Sequence, residues 1–386
     1  MLIAPLLVTL ALKVNALVGT DRAPASLALV AGTGSLLAMF ANPIFGRISD
    51  RTTSTWGMRR PWMVIGLAGG SLGILTVALA PNIAVVLAGW CLAQVFFNAL
   101  LAVQVAVLPD QVPNAQRGLV SGVLGICVPI ASVTGTFLVN LFTGHQLAMF
   151  LVPCTLGAVF ILLFAATLDD RRLAPSDRPR WSLRDLADTF TFSPRKNPDF
   201  AWAFLSRFLF VMAYAFLTAY QAYYLIDKLG SAEADVPQQI FLSTLITSTA
   251  VIGASLLGGR VSDRVGRRKP FVVTASVLYG VAMFVIALAT DLTGFLVGAA
   301  LSGLGFGVYI AVDLALVTDV LPDKDGAAAK DLGVFNIANA LPYSVAPAIA
   351  PAVLAVGNGS YTVLYAVAGA CAVLGALAIL PVRGTR

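Results

Sequence analysis

GRISDRTTSTWGMRRPW, residues 46–62, packs four arginines and an aspartate between two runs of almost pure hydrocarbon side chains. The flanking runs, 26–45 and 62–80, are each long enough to cross a bilayer as a helix, which takes roughly 17 to 25 apolar residues. Charge gathered between two such runs marks a turn in water between two spanning helices.

Ten further runs of the same kind stand at 2–18, 83–108, 119–142, 147–168, 200–226, 240–257, 271–290, 292–320, 332–356 and 361–380. The whole chain agrees with them: 58% of its residues are hydrophobic and only 11% charged, with a mean hydropathy of +0.87. Soluble domains carry about a quarter charged residues. The sequence therefore reads as an all-α polytopic membrane protein of twelve transmembrane helices.

Cys91, Cys127, Cys154 and Cys371 fall singly within these runs, with no C-x-x-C pair. They read as small core hydrophobes and give no disulfide or metal signal. The net charge of +6 calls for no nucleic acid, because basic residues collect in alternate loops. Arg47, Arg51, Arg59 and Arg60 follow the second run, Arg117 the fourth, and seven from Arg171 to Lys196 the sixth. Arg260, Arg264, Arg267, Arg268 and Lys269 follow the eighth, Lys324 and Lys330 the tenth, Arg383 and Arg386 the twelfth. The intervening loops hold little beyond Arg22 and Lys228. By the positive-inside rule the even-numbered connections and both termini lie in the cytoplasm. The first run lacks a basic flank and carries Lys13 near its outer end, so it is expected to be a spanning helix that begins upstream of Met1 rather than a signal peptide.

Residues 169–199 concentrate charge, proline and serine, and form a linker between an N-terminal half, 1–168, and a C-terminal half, 200–386. A short amphipathic helix over 183–192 is expected to lie on the membrane surface. The halves echo each other. GRISDR at Gly46 recurs as GRVSDR at Gly259, and Leu108-Pro109-Asp110 recurs as Leu321-Pro322-Asp323, both 213 residues on. A shared offset across two motifs indicates an internal duplication.

Gly46, Asp50, Arg51, Gly57, Arg59 and Arg60, and again Gly259, Asp263, Arg264, Gly266, Arg267 and Arg268, resemble the G-x-x-x-D-R-x-G-R-R loop signature of the major facilitator superfamily. The resemblance covers essentially the whole chain and implies two pseudo-symmetric six-helix halves moving about a midplane site. It further implies a latch. Each aspartate would satisfy free backbone N–H groups at a helix start in the opposite half: Asp50 near Asp331 and Leu332, Asp263 near Gly118. The glycines would allow close helix approach, and breaking the latch would favour the inward-open state. A plain topology signal is the alternative, although topology needs arginines and not the repeated aspartate and glycine.

Ionisable residues inside spanning helices are costly and usually functional. Arg207 lies about seven residues into the seventh run and Asp313 about seven before the inner end of the tenth, each about 10 Å deep. The resemblance implies that helices one, four, seven and ten line the central cavity. An Arg207–Asp313 pair is therefore expected there, with Asp313 taking up a proton or contacting solute, the other reading being a static salt bridge. Lys13 reads either as a cavity group or as a side chain snorkelling outward. Gln94, Asn98 and Gln104, then Tyr214 and Gln221, Tyr309, and finally Asn336 and Asn339 complete the candidate pocket, with amides for hydroxyls and aromatic faces for flat rings. Tyr220, Tyr224 and Tyr343 belong to the same list, Tyr223 and Tyr224 also suiting an interfacial anchor. Gly66-x-x-x-Gly70, Gly118-x-x-x-Gly122 and Gly303-x-x-x-Gly307 mark close helix contacts, Pro43, Pro129, Pro342 and Pro347 possible bends, and His145 a solvated outer loop.

No P-loop, H-E-x-x-H or nucleophile elbow is present, so an enzyme is not expected, nor a cofactor or metal. Ser49-Asp50-Arg51-x-Thr53-Ser54 with Gly57 and Arg59-Arg60-Pro61-Trp62 resembles the first loop of the sucrose and glycoside cation symporters of the superfamily. It departs from them at Met58, where arginine is usual, and the first helix shows no matching acidic residue. Drug-exporting antiporters carry a glycine-proline signature on the fifth helix. Gly125 to Gly135 keeps Pro129 without the glycine before it or the pair after it. The first expectation is therefore proton-coupled symport of a sugar or glycoside, with a drug or metabolite exporter as the alternative and a nontransporting receptor as the remote one. The expected partners are a small-molecule solute, a coupling proton and the lipid bilayer, for a monomer in a bacterial inner membrane.

Overall fold

The computed structural model describes residues 8–174, 176, 197–319 and 337–382, apart from the side chains at 109, 114, 115, 117–119, 121, 122, 263, 314, 315 and 317–319. The expected surface helix at 183–192, the second Leu-Pro-Asp, Asp331, Leu332 and Asn336 lie outside the described residues, as do the side chain of Asp263 and the surroundings of Gly118.

The N-terminal helices are α1 (Leu10–Val18), α2 (Ala23–Ser49), α3 (Arg60–Leu79), α4 (Ile83–Gln111), α5 (Asn114–Leu141) and α6 (Gln146–Thr167). The C-terminal ones are α7 (Pro198–Tyr223), continued by a π turn over Tyr224–Lys228, then α8 (Val236–Val265), α9 (Lys269–Leu288), α10 (Leu292–Asp319), α11 (Pro342–Val356) and α12 (Tyr361–Ala378). Among the described residues eleven of these are long and apolar enough to cross a membrane, α1 being the exception. We call the end of each unit that bears the arginine-rich loop its inner end, and the opposite end outer.

Local chemistry sets the helix ends. Asn82 accepts the Val85 N–H at 3.1 Å to cap α4, and Asp291 accepts the Gly294 N–H at 2.7 Å at the start of α10, the same device at the same place in the repeat. Proline occupies the first turn of α3 and of α9, where its missing N–H costs nothing. Gly266, at φ +65°, ends α8 in the left-handed conformation.

The chain divides into two compact units, Met1–Leu186 and Ala187–Arg386. In the first, α3 packs on α4 and α6, α2 on α4, and α5 on α6. The second repeats each contact as α9 on α10 and α12, α8 on α10, and α11 on α12. The duplication seen in two short motifs therefore extends to the packing. Small residues carry the closest approaches. A Cβ at Gly73 of α3 would lie 2.5 Å from the Ala93 backbone nitrogen, and one at Gly307 of α10 2.5 Å from the Val251 carbonyl. Helices in a bilayer associate through such packing.

Candidate functional site

The inner loop of the first unit is built around Arg59, whose side chain is 5% exposed. Its Nη2 lies 2.6 Å from Asp50 and 2.9 Å from Asp110. Its Nε donates to Asp110 at 2.9 Å and its Nη1 to Ser49 Oγ at 2.5 Å. Burial alone lowers the Arg59 pKa, but Asp110 and Asp50, by hydrogen bond and charge, outweigh it and raise the value. The backbone N–H groups of Arg59 and Arg60 donate to one oxygen of Asp170 at 2.7 and 2.8 Å, and Arg60 also donates to the Leu168 carbonyl. Gly57 has φ +106°, and a Cβ there would fall 2.1 Å from that same carboxylate oxygen. The motif glycine is thus required twice, by conformation and by space. Trp62 donates to Thr52 Oγ1 at 2.8 Å and sets its ring edge on Phe45, closing the loop.

Gly46 and Gly259 behave differently. A Cβ on either meets only Ala102 at 3.9 Å or Ala311 at 3.8 Å, ordinary contact, so neither is forced by packing within its own unit. Asp50, with its side chain half exposed, spends one oxygen on Arg59. Among the second motif, Arg264, Arg267 and Gly266 are exposed and Arg268 half-buried; Arg51 is half-buried.

In the interior of the second unit, Arg207 Nη1 of α7 lies 2.5 Å from Asp313 Oδ2 of α10. Asp313 is 5% exposed and also hydrogen-bonds Tyr309, one turn away on the same helix. Tyr309 stacks on Phe210 of α7, with ring centroids 3.7 Å apart and planes within 5°. Tyr214 of α7 stacks on Phe306 of α10 at 4.5 Å and meets Tyr343 of α11 edge-on at 6.2 Å. Three helices therefore bring a charged pair, a bonded phenol and a bank of aromatic faces to one place. Such a group can hold one proton and stack a flat ring.

The other sequence candidates are spread more widely. Gln221 is buried; Gln104 and Asn339 are half-buried. Asn98 bonds back to Gln94 of its own helix, at 2.8 Å to the carbonyl and 3.3 Å to the side chain. Lys13 is 7% exposed and donates to the Ala78 carbonyl at 3.0 Å and to Gln146 Oε1 at 3.2 Å, at the outer end of the first unit. Tyr224 donates to the Ile286 carbonyl at 2.6 Å and is fully buried. His145 is exposed before α6.

Sequence reading missed Asp110 and Asp170 as partners of the inner loop, and Phe210 and Phe306 beside the charged pair. Asp110 had a signal, since it ends the repeated Leu-Pro-Asp. The phenylalanines had none, being apolar residues among many.

Curated relatives match over parts of the chain. Multidrug resistance protein MdtL of Klebsiella pneumoniae is 28% identical over 160 residues, 42% of this chain and 39% of that protein. A triacylglyceride transporter of Mycolicibacterium hassiacum is 35% identical over 36% of this chain and 26% of its own length. Plastidic glucose transporter 4 of Arabidopsis thaliana is 31% identical over 26% of this chain and 18% of its own. The chain thus spans well under half the length of these relatives. Among solved structures, the nucleoside transporter NupG superposes with a TM-score of 0.77 at 16% identity, over 98% of this chain and 95% of that one. The human organic anion transporter MFSD10 does so at 0.68 and 18%, over 98% and 97%. These likenesses concern the fold. The Major Facilitator Superfamily profile matches residues 1–247 and 204–386, so the chain, a multi-pass membrane protein, belongs to the Major Facilitator Superfamily.

Proposed function

We propose that this chain is a proton-coupled secondary transporter working by alternating access, with Asp313 as the group that takes up the proton and Arg207 as its internal counterion. The carrying observation is the Arg207–Asp313 contact in the interior of the second unit, with Tyr309 on the same carboxylate. Closed, the pair balances its own charge. Opened, a carboxylate without its cation is costly among apolar side chains, so opening and proton uptake go together. In this reading α1, α4, α7 and α10 line the solute path, the two halves 1–168 and 200–386 rock about it, and Asp50 and Asp263 latch their inner ends.

The solute class proposed first is a sugar or glycoside. The form of the loop at 49–62 supports it, and the faces of Tyr214, Phe306 and Tyr343 suit a ring. The test is uptake of a labelled sugar panel into proteoliposomes under an imposed proton gradient, with Asp313→Asn alongside. Gradient-driven uptake abolished by the substitution is expected. Sugar uptake that Asp313→Asn leaves gradient-driven would refute the role of Asp313, and no sugar flux would refute the solute. Export of drugs or metabolites is the second reading, favoured by the MdtL similarity. It predicts a resistance phenotype in cells lacking other pumps, which the sugar reading does not.

A further inference from the structure

The faces of α10 sort its neighbours. Gly303 and Gly307 press on α8 and Gly305 on α9, while Phe306 and Tyr309 stack on rings of α7. At about 100° per residue, Leu304 stands on the side away from Phe306, in the sector between α8 and α9, and it is 40% exposed. A groove of about 570 Å³ runs there between α8 and α10, its walls including Leu245, Thr249, Gly253 and Leu257 of α8 and Ala300 and Leu304 of α10. Its surface is hydrocarbon. The hydroxyl of Thr249 is turned back to the Leu245 carbonyl at 2.8 Å, so it offers the groove no free proton. Gly253 keeps the groove open, since a Cβ at that position would meet nothing within 4 Å.

Charge waits at one end of it. The α8 wall continues from Gly253 and Leu257 to Arg260 and Arg264 in steps of three and four residues, which keep to one face of a helix. Both arginines are exposed. Nη1 of Arg260 donates to the Leu256 carbonyl at 3.4 Å, which draws the guanidinium back along α8 toward the inner mouth of the groove. From Leu245 to Leu257 the groove is about 18 Å long, against about 15 Å for one leaflet's share of a bilayer's hydrocarbon core. An apolar groove one leaflet long, ending under two exposed cations, has the outline of a phospholipid with a negative headgroup. The first unit differs at each of these points. Phe40, Arg47 and Arg51 stand 213 residues earlier, so a ring occupies the place of Gly253, and both arginines there are half-buried.

We infer that the second unit holds one anionic phospholipid from the leaflet at its inner end, with the phosphate on Arg260 and Arg264 and one acyl chain in the groove between α8 and α10. The site faces away from α7, and so away from the Arg207–Asp313 pair and the aromatic faces beside it. The two contacts divide the work. A lipid tail in the bilayer is already among apolar neighbours, so the groove holds it by shape and packing rather than by removing it from water. The arginines then choose the headgroup. A net negative one gains about fivefold from each nearby cation, whereas a zwitterionic one carries its own positive charge and gains less.

The experiment is native mass spectrometry of the full chain in detergent, titrated with phosphatidylglycerol and, in parallel, with phosphatidylcholine of the same acyl chains. It needs no transported solute. The first phosphatidylglycerol is expected to bind about ten- to thirtyfold more tightly than the first phosphatidylcholine. Arg260→Gln with Arg264→Gln, on exposed residues, is expected to abolish that preference. Gly253→Phe, which places in the groove the ring that the first unit carries at the equivalent position, is expected to weaken the first phosphatidylglycerol about tenfold with both arginines still present. Arg171→Gln with Arg172→Gln, exposed at the inner end of the first unit, is expected to leave it unchanged. Equal affinity for the two lipids, or an equal loss from the Arg171 and Arg172 pair, overturns the site in favour of general charge attraction. A loss from the Arg260 and Arg264 pair with none from Gly253→Phe overturns the groove as the seat of the chain.

Discussion

At their outer ends the two units make matching bonds with matching residues. Lys13, near the end of α1, donates to the Ala78 carbonyl in the last turn of α3 and to Gln146, the first residue of α6. Lys228, closing the π turn after α7, donates to the Ala287 carbonyl in the last turn of α9 and, at 2.7 Å, to Thr362, the second residue of α12. Each lysine thus gives the unsatisfied carbonyls of a helix C-terminus a cation and ties three helices together. The interiors differ. Lys13 and Arg59, the buried charges described in the first unit, sit at its two ends, whereas Asp313 sits deep within the second. Duplication has kept the scaffold, and the ionisable chemistry has settled in one copy.

The sharpest way to break that contrast is to make the second interior apolar. Arg207→Met alone leaves Asp313 buried without its cation and is expected to cost about 3–5 kcal/mol, whereas Arg207→Met with Asp313→Leu is expected to recover most of it. Thermal unfolding in lipid nanodiscs checks both values. Neither variant is expected to concentrate solute under an imposed proton gradient. A double variant that stays as unstable as the single one would show that the pair holds α7 to α10 rather than serving transport.

The helices and the duplication were legible because hydropathy and charge placement are constraints the bilayer imposes on every residue of a span. The Arg207–Asp313 contact was legible too, since two opposite charges at equal depth on spanning helices have few other partners. The rest was set by three-dimensional neighbours that no local pattern announces. Asp170 sits over a hundred residues from the Arg59 and Arg60 amides it accepts from. Lys13 was read as reaching the cavity or snorkelling outward, and its bonds go to helix ends that only the fold brings near. Tyr279 and Tyr365 look in the sequence like any apolar helix residue, because what distinguishes them is a buried hydroxyl with no hydrogen-bond partner among the described residues.

The outer lysines allow a finer comparison. Lys13→Met is expected to cost about 1.5–3 kcal/mol, the range for hydrogen bonds to a charged group. Lys228→Met should cost more by about 0.5–1 kcal/mol, because its ammonium also lies 5.5 Å from the centre of the Tyr224 ring. Unfolding of the two single variants under one set of conditions checks the order. Equal losses would remove the ring from the account.

The smallest expected effect comes from a contact the two units share with its sizes exchanged. Gly34 of α2 faces Trp90 of α4; 213 residues on, Thr247 of α8 faces Gly303 of α10. A Cβ at Gly34 would fall 2.5 Å from Trp90 Cδ1, a side-chain atom, whereas one at Gly303 would fall 2.5 Å from the Thr247 carbonyl oxygen and 2.8 Å from Ala250 Cβ. A ring can tilt, while a helix backbone must move as a body, so the same methyl should be felt unequally. Gly303→Ala is expected to cost about 1–3 kcal/mol by overpacking, and Gly34→Ala to stay at or below the lower end of that range. Gly253 of α8 has open space around its position, so Gly253→Ala on a neighbouring turn is the control for helix propensity, expected to stabilise slightly if at all. If Gly34→Ala proves the costlier, Trp90 is the fixed member of its pair, and the first unit is the more tightly jammed of the two where α2 and α8 meet the helices they each cross.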